Sequence, residues 1–169
     1  MARGGREGMA VDRDEFSRRI LEMRPTLYRV SYGMLSSPAD RDDAVQSAIL
    51  KAWQKQNALR DEGAMNSWVV RILINECYDI LREHKRTRPV ADFPERTAPP
   101  GADRELHDAI LALEENLRLP VILHYMEGYR VDELARMLRL PQGTVKSRLR
   151  RARMRLKDML DDEGGDRDA

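Results

Sequence analysis

The chain has 169 residues, 41% hydrophobic and 35% charged, with a formal net charge of only +1. One cysteine, Cys77, excludes an intramolecular disulfide, and no apolar run is long enough to cross a bilayer, so no membrane insertion is expected. His84, His107 and His124 stand at no metal-ligand spacing with one another or with Cys77, so neither a metal nor another cofactor is expected.

Leu, Met, Ala, Arg and Glu dominate and no alternating β-branched run occurs, which predicts an all-α protein built from small helical units. Residues 1–11 lack the apolar core of a secretory signal and read as a disordered leader, with cytoplasmic residence expected. Residues 14–35 predict two helices, with Pro25 in the first turn of the second. The stretch "SPADRDDAVQSAILKAWQKQ" predicts a helix that begins after Ser37-Pro38 and runs to about Gln56. Val45, Ala48, Ile49 and Ala52 form its inward stripe, and Asp43, Gln46, Ser47 and Leu50 face outward. A Leu exposed beside an acidic-polar face suits contact with a partner protein that carries basic residues.

After the loop "NALRDEG", a long helix is expected over residues 65–85. Val69, Val70, Leu73, Ile74, Cys77, Ile80 and Leu81 make its apolar side, opposite a stripe of Trp68, Arg71, Asn75, Asp79 and Arg82. Two readings of that stripe stand. Exposed bases stack on rings and hydrogen-bond to amides, which suits Trp68 beside Asn75. Alternatively, Trp68 caps a small core and Arg71 pairs with Asp79 or Asn75.

Residues 87–104, "TRPVADFPERTAPPGADR", hold four of the eight prolines and predict a linker between domains at 12–86 and 105–160. Helices are expected at 105–114, 116–126, 131–138 and 142–160, followed by an acidic, disordered tail at 161–169. The segment "GTVKSRLRRARMRLK" carries seven basic side chains and no acidic one. At about 100° per residue, Val145, Leu149, Ala152, Leu156 and Met159 share one stripe. Ser147, Arg150, Arg151 and Met154 lie opposite, with Lys146 on the flank. The preceding helix offers Leu134, Ala135 and Leu138 as its apolar face. Two short-turn-linked helices, the second basic near its start, describe a helix-turn-helix that enters a major groove. The alternative is a solvated basic face, but seven cations without acidic partners repel one another unless a polyanion compensates.

Taken together and in order, "DRDDAVQSAILKAW", "SWVVRILINECYDILREHKR", "LRLPVILHYMEGY" and "GTVKSRLRRAR" resemble the extracytoplasmic-function (ECF) group of bacterial RNA polymerase sigma factors. The resemblance implies a region 2-like domain that joins the clamp of core RNA polymerase through Asp43, Gln46 and Leu50. The same domain would capture the melted promoter −10 element with Met65, Asn66, Trp68, Arg71 and Asn75. A region 4-like domain would read the −35 duplex through Lys146, Ser147, Arg150 and Arg151, with Gly143 and Thr144 at the phosphates, beside the polymerase flap. An anti-sigma protein is an expected partner, and no bond chemistry is expected. Three positions depart from the family pattern: Met65 replaces a common aromatic, Arg130 a Ser or Thr cap, and Arg139 a turn glycine. Asp132 is expected to take over part of the capping role. The runner-up function is a self-sufficient dimeric helix-turn-helix regulator, which has no need of the Trp68–Asn75 stripe or the outward face of residues 40–54.

Overall fold

The computed structural model describes residues 12–87 and 104–164. The expected leader, nearly all of the linker, and the tail beyond Gly164 lie outside the described residues. Among the described residues seven α-helices follow in order: α1 (Arg13–Met34), α2 (Pro38–Gln54), α3 (Met65–Thr87), α4 (Arg104–Ala112), α5 (Glu115–Val121), α6 (Val131–Leu138) and α7 (Gln142–Gly164). Short 3-10 turns at Gln56–Ala58 and Glu62–Ala64 join α2 to α3, and a π turn at Ile122–Met126 extends α5. The architecture is all-α in two helical units, α1–α3 and α4–α7.

Where two helices were expected before residue 36, there is one, with Pro25 inside it. An interior proline lacks an N–H and costs about 3 kcal/mol. Here the disruption faces solvent, because Pro25 is exposed and Leu21, whose carbonyl loses its partner, is 62% exposed. On the other side Phe16, Ile20, Met23, Leu27, Val30 and Met34 are all buried, keeping helical period across the proline. Six such side chains contribute about 1.5–3 kcal/mol each, which outweighs the local loss.

Extended Leu35 ends α1, and Ser37 starts α2 by accepting the Asp40 N–H at 3.3 Å with Pro38 as the first helical residue. Arg41 is buried against this corner: its guanidinium donates to the Ser36 and Ser37 carbonyls at 3.4 Å and lies 4.5 Å over the Tyr32 ring. Lys51 bridges to Glu76 at 2.5 Å, tying α2 to α3. At the other end of the chain, α7 runs through Gly164 rather than ending at 160. Asp161, Asp162 and Glu163 have ordinary helix propensity, without the penalty of glycine or proline, so nothing in them ends the helix at 160.

The two units share one hydrophobic core, with Met23, Leu27 and Val30 in the same cluster as Leu117, Leu119 and Leu123. Polar contacts also cross between them. Arg118 is buried and donates to the Gly33 carbonyl at 2.9 Å and to the Leu113 carbonyl at 2.7 Å. Glu127 accepts from Thr26 at 2.8 Å and from Arg29 at 2.5 Å, and the His107 ring nitrogen lies 3.2 Å from the Tyr32 hydroxyl. Gly33 lies close under Ile122: a Cβ there would stand 2.1 Å from Ile122 Cδ1, so the end of that side chain would have to move aside.

Candidate nucleic-acid interfaces

Helix α7 is positioned by its apolar stripe. Val145, Leu149 and Ala152 are buried with Leu134 of α6, and Leu156 and Met159 pack at the edge. Its opposite face is therefore forced outward. Gly143, Lys146, Ser147, Arg150 and Arg151 are exposed and Thr144 is half-buried. Among the described residues no carboxylate pairs with Lys146, Arg150 or Arg151. The Pro141 carbonyl accepts from Thr144 and Val145 N–H at 3.0 and 3.1 Å, starting the helix, and Ser147 Oγ donates back to the Thr144 carbonyl at 3.1 Å. Of the seven basic residues, Arg148 is half-buried towards Tyr78 of α3, and Arg153 donates to the Tyr125 hydroxyl at 2.8 Å.

The turn before α7 carries the departures noted in the sequence. Arg139 holds a left-handed backbone, φ 54° and ψ 47°, so the position normally suited to glycine costs this chain about 1 kcal/mol. Glu133, rather than Asp132, caps α6 by accepting the Arg130 N–H at 2.8 Å. Asp132 is engaged elsewhere, with Arg130 at 3.1 Å and Arg136 at 2.9 Å.

The second face lies around the start of α3. Asn66 and Asn75 are exposed, Arg71 is half-buried, and Trp68 is half-buried against the core. Met65, expected at the −10 strand, is completely buried in this structure. It continues the stripe of Val69, Leu73 and Cys77 four residues upstream, so its apolar side chain turns inward. The proposed pairing of Arg71 with Asp79 is also absent, because Asp79 pairs with Arg82. The turn before α3 is held by Asp61 Oδ1, which accepts the Gly63 N–H at 2.9 Å, and by Arg19, which donates to the Glu62 carbonyl at 3.0 Å. Ser67 donates to the Ala64 carbonyl at 3.0 Å. Asp61, Gly63, Ala64, Ser67 and Arg71 form one wall of a cleft of about 350 Å³, and Glu133, Arg136 and Met137 of α6 form the other. The family resemblance places the 60–67 loop, which holds Asp61 and Ser67, at the −10 element without singling out either residue. Sequence reasoning missed Met137, which lies off the apolar stripe that α6 turns towards α7.

The third face is the outward side of α2. Asp43 and Gln46 are exposed and Leu50 is 56% exposed, over buried Val45, Ala48 and Ala52. Trp53, three residues after Leu50 and 39% exposed, extends the apolar part of this stripe and leans on Phe16 with ring centroids 5.8 Å apart. Its spacing from Leu50 was the available clue.

Cys77 is buried, and burial, with Glu76 and Glu115 nearby, pushes its thiol up to about 12. It is a packed apolar group rather than a reactive one. No helix of the described residues is long and apolar enough to cross a membrane.

Residues 20–87 match the family model for Sigma-70 region 2, and residues 103–156 match that for Sigma-70, region 4. The chain is 36% identical over 157 residues to the ECF RNA polymerase sigma factor SigM of Mycobacterium tuberculosis, covering 90% of this chain and 80% of that protein. The chain belongs to the ECF RNA polymerase sigma factors. Other members of the group share less sequence, as with the RNA polymerase sigma factor SigV of Bacillus subtilis, 28% identical over 79% of this chain and 83% of its own. Among solved structures, the chain is similar to the sigma factor RpoE in complex with the anti-sigma factor NepR from Bartonella quintana. That likeness has a TM-score of 0.77 at 27% identity, over 88% of this chain and 98% of RpoE. As a sigma factor, the chain directs RNA polymerase to promoters and serves transcription initiation. The all-α, two-domain expectation and the family resemblance hold.

Proposed function

We propose that this sigma factor divides its work among three faces. Lys146, Ser147, Arg150 and Arg151 read the −35 duplex from the major groove, with Gly143 and Thr144 against phosphate at the start of α7. Asn66, Trp68, Arg71 and Asn75, with Ser67 and Asp61 beside them, hold the melted −10 strand, and Met65 supports them from the core. Asp43, Gln46 and Leu50, extended by Trp53, meet the clamp of core RNA polymerase, and the second domain meets the flap. An anti-sigma protein is a further partner. The chain works in the cytoplasm and performs no bond chemistry of its own.

The observation that carries this reading is the exposed cationic face of α7, unpaired among the described residues and fixed outward by a buried stripe. A polyanion satisfies it, and counterion release makes the binding salt-dependent. The test is in vitro transcription with purified core enzyme over a genomic promoter library. Specific initiation is expected, and it is expected to vanish when Asp43 and Gln46 are both changed to Ala. Failure to join core enzyme, together with a footprint on palindromic duplex by the chain alone, would instead establish the dimeric regulator.

A further inference from the structure

The −35 face as assigned leaves part of the basic helix unused. Of its cations, Lys146, Arg150 and Arg151 are given to the duplex, and Arg148 turns towards Tyr78. Arg153, Arg155 and Lys157 are exposed beyond them and have no assigned task. At about 100° per residue, Arg153 falls close to the line of Lys146 and Arg150, seven and three residues after them. Arg155 falls on the flank opposite Lys146.

Arg153 is held in one direction. Its Nη1 donates to the Tyr125 hydroxyl at 2.8 Å, across 28 residues of sequence. Tyr125 stands on the π turn, where the Glu127 N–H bonds to the Ile122 carbonyl at 3.1 Å. The buried period of Leu119 and Ile122 would otherwise carry Met126 inward. The wider turn puts the Glu127 side chain there instead, and leaves Tyr125 and Met126 51% and 48% exposed. The His124 ring packs edge-on against Tyr125 with centroids 4.8 Å apart, and its Nδ1–H donates to the Tyr129 carbonyl at 2.7 Å. That contact braces the phenol ring.

A carboxylate partner would orient Arg153 and neutralise it at once. A neutral phenol orients it and leaves its charge whole. Among the described residues no carboxylate pairs with Arg153. The hydroxyl takes one guanidinium N–H and leaves the rest of the planar fork for an anion. At about 1.5 Å per residue, Arg153 lies about 10 Å along α7 from Lys146. The major groove is about 12 Å wide, so a helix that brings Lys146 to base edges carries Arg153 out to the phosphates of the groove wall.

We propose that Tyr125 is a positioning residue for −35 binding: it aims the uncompensated Arg153 guanidinium at a backbone phosphate on the groove wall. The contact holds register without reading sequence. This role rests on the assignment of α7 to the −35 duplex.

The test titrates the full chain against a fluorescent random-sequence duplex by anisotropy, between about 50 and 200 mM salt. Each phosphate contact contributes about 0.9 to the slope of log affinity against log salt. Over that range Arg153→Ala is expected to lose about 3.5-fold less affinity than wild type, because one contact is already gone. Tyr125→Phe keeps every charge and is expected to flatten the slope too, to a value between those of wild type and Arg153→Ala. Adding Tyr125→Phe to Arg153→Ala is expected to change nothing further, since the hydroxyl acts through the guanidinium. Arg155→Ala removes the same charge from the opposite flank and is expected to keep the wild-type slope. All three side chains are exposed, so none of these substitutions opens the core.

A wild-type slope in Arg153→Ala, or an equal flattening in Arg155→Ala, would overturn the phosphate contact. A wild-type slope in Tyr125→Phe, or a further loss when it joins Arg153→Ala, would overturn the positioning. Duplex binding that Lys146→Ala and Arg150→Ala both leave unchanged would instead overturn the −35 assignment beneath it.

Discussion

Helix α7 and helix α3 each carry an apolar stripe backed by a polar one, yet they present those polar stripes in different ways. On α7 the outward residues stand clear of the rest of the protein, whereas the first turns of α3 share a cleft with α6. The difference follows from what each helix packs against. α7 rests on elements of its own domain, chiefly α4, α5 and α6, so one face is consumed and the other is left over. α3 is packed by α1 and α2 on one side and approached by α6 on another, and Arg71 lines the cleft between them half-buried. A binding face is thus defined by its own helix only where nothing distant in sequence comes back to it.

The largest expected effect tests the support beneath the open face. Leu134 is completely buried between α6 and α7, and Leu134→Ala is expected to destabilise the protein by about 2–5 kcal/mol in urea denaturation. A loss well under 1 kcal/mol would mean that α6 is not what fixes α7 outward. Next in size, Arg150→Ala is expected to weaken binding to a −35 duplex by about 1–3 kcal/mol in an anisotropy titration. Because the α3 face is separate, single-strand binding should be unchanged by that substitution, and a parallel loss would merge the two faces into one.

Alkaline titration sharpens the contrast between buried and open groups. Burial holds the Cys77 thiol, and the Tyr129 hydroxyl, protonated up to about 12. The unfolded chain releases these protons near their ordinary values of 9.0 and 10.0. Between those values and 12 the folded state holds more protons than the unfolded one, so stability falls as pH rises. Cys77 alone is expected to account for about 1 kcal/mol by pH 10, measured as a shallower alkaline loss in Cys77→Ala. The smallest effect is at the helix-turn-helix turn. Arg139→Gly removes left-handed strain at some cost in unfolded-state entropy, with a net gain of a few tenths to about 1 kcal/mol in thermal unfolding. Duplex affinity is expected to remain as it was, since Arg139 lies before the recognition helix.

Much of this was legible in the residues. The inward stripes of α2, α3 and α7 were each readable from spacing alone, and so were the outward Asp43, Gln46 and Leu50. Met65 was placed by a family pattern, although its spacing from Val69 already aligned it with the buried stripe of α3. Pro25 was read as a boundary because a missing N–H is a local fact, while the buried stripe that carries α1 through it depends on what packs there. Met137 carried no pattern at all.

The sequence by itself determined the helices, their faces, the cationic concentration on α7 and the family, because side chains three and four residues apart share a face whatever surrounds them. Tertiary structure alone decided that α1 is one helix, that Met65 belongs to the core, and that α6 shares a cleft with the start of α3. Those outcomes depend on contacts such as Thr26 with Glu127, 101 residues apart, and no local period encodes a partner at that distance.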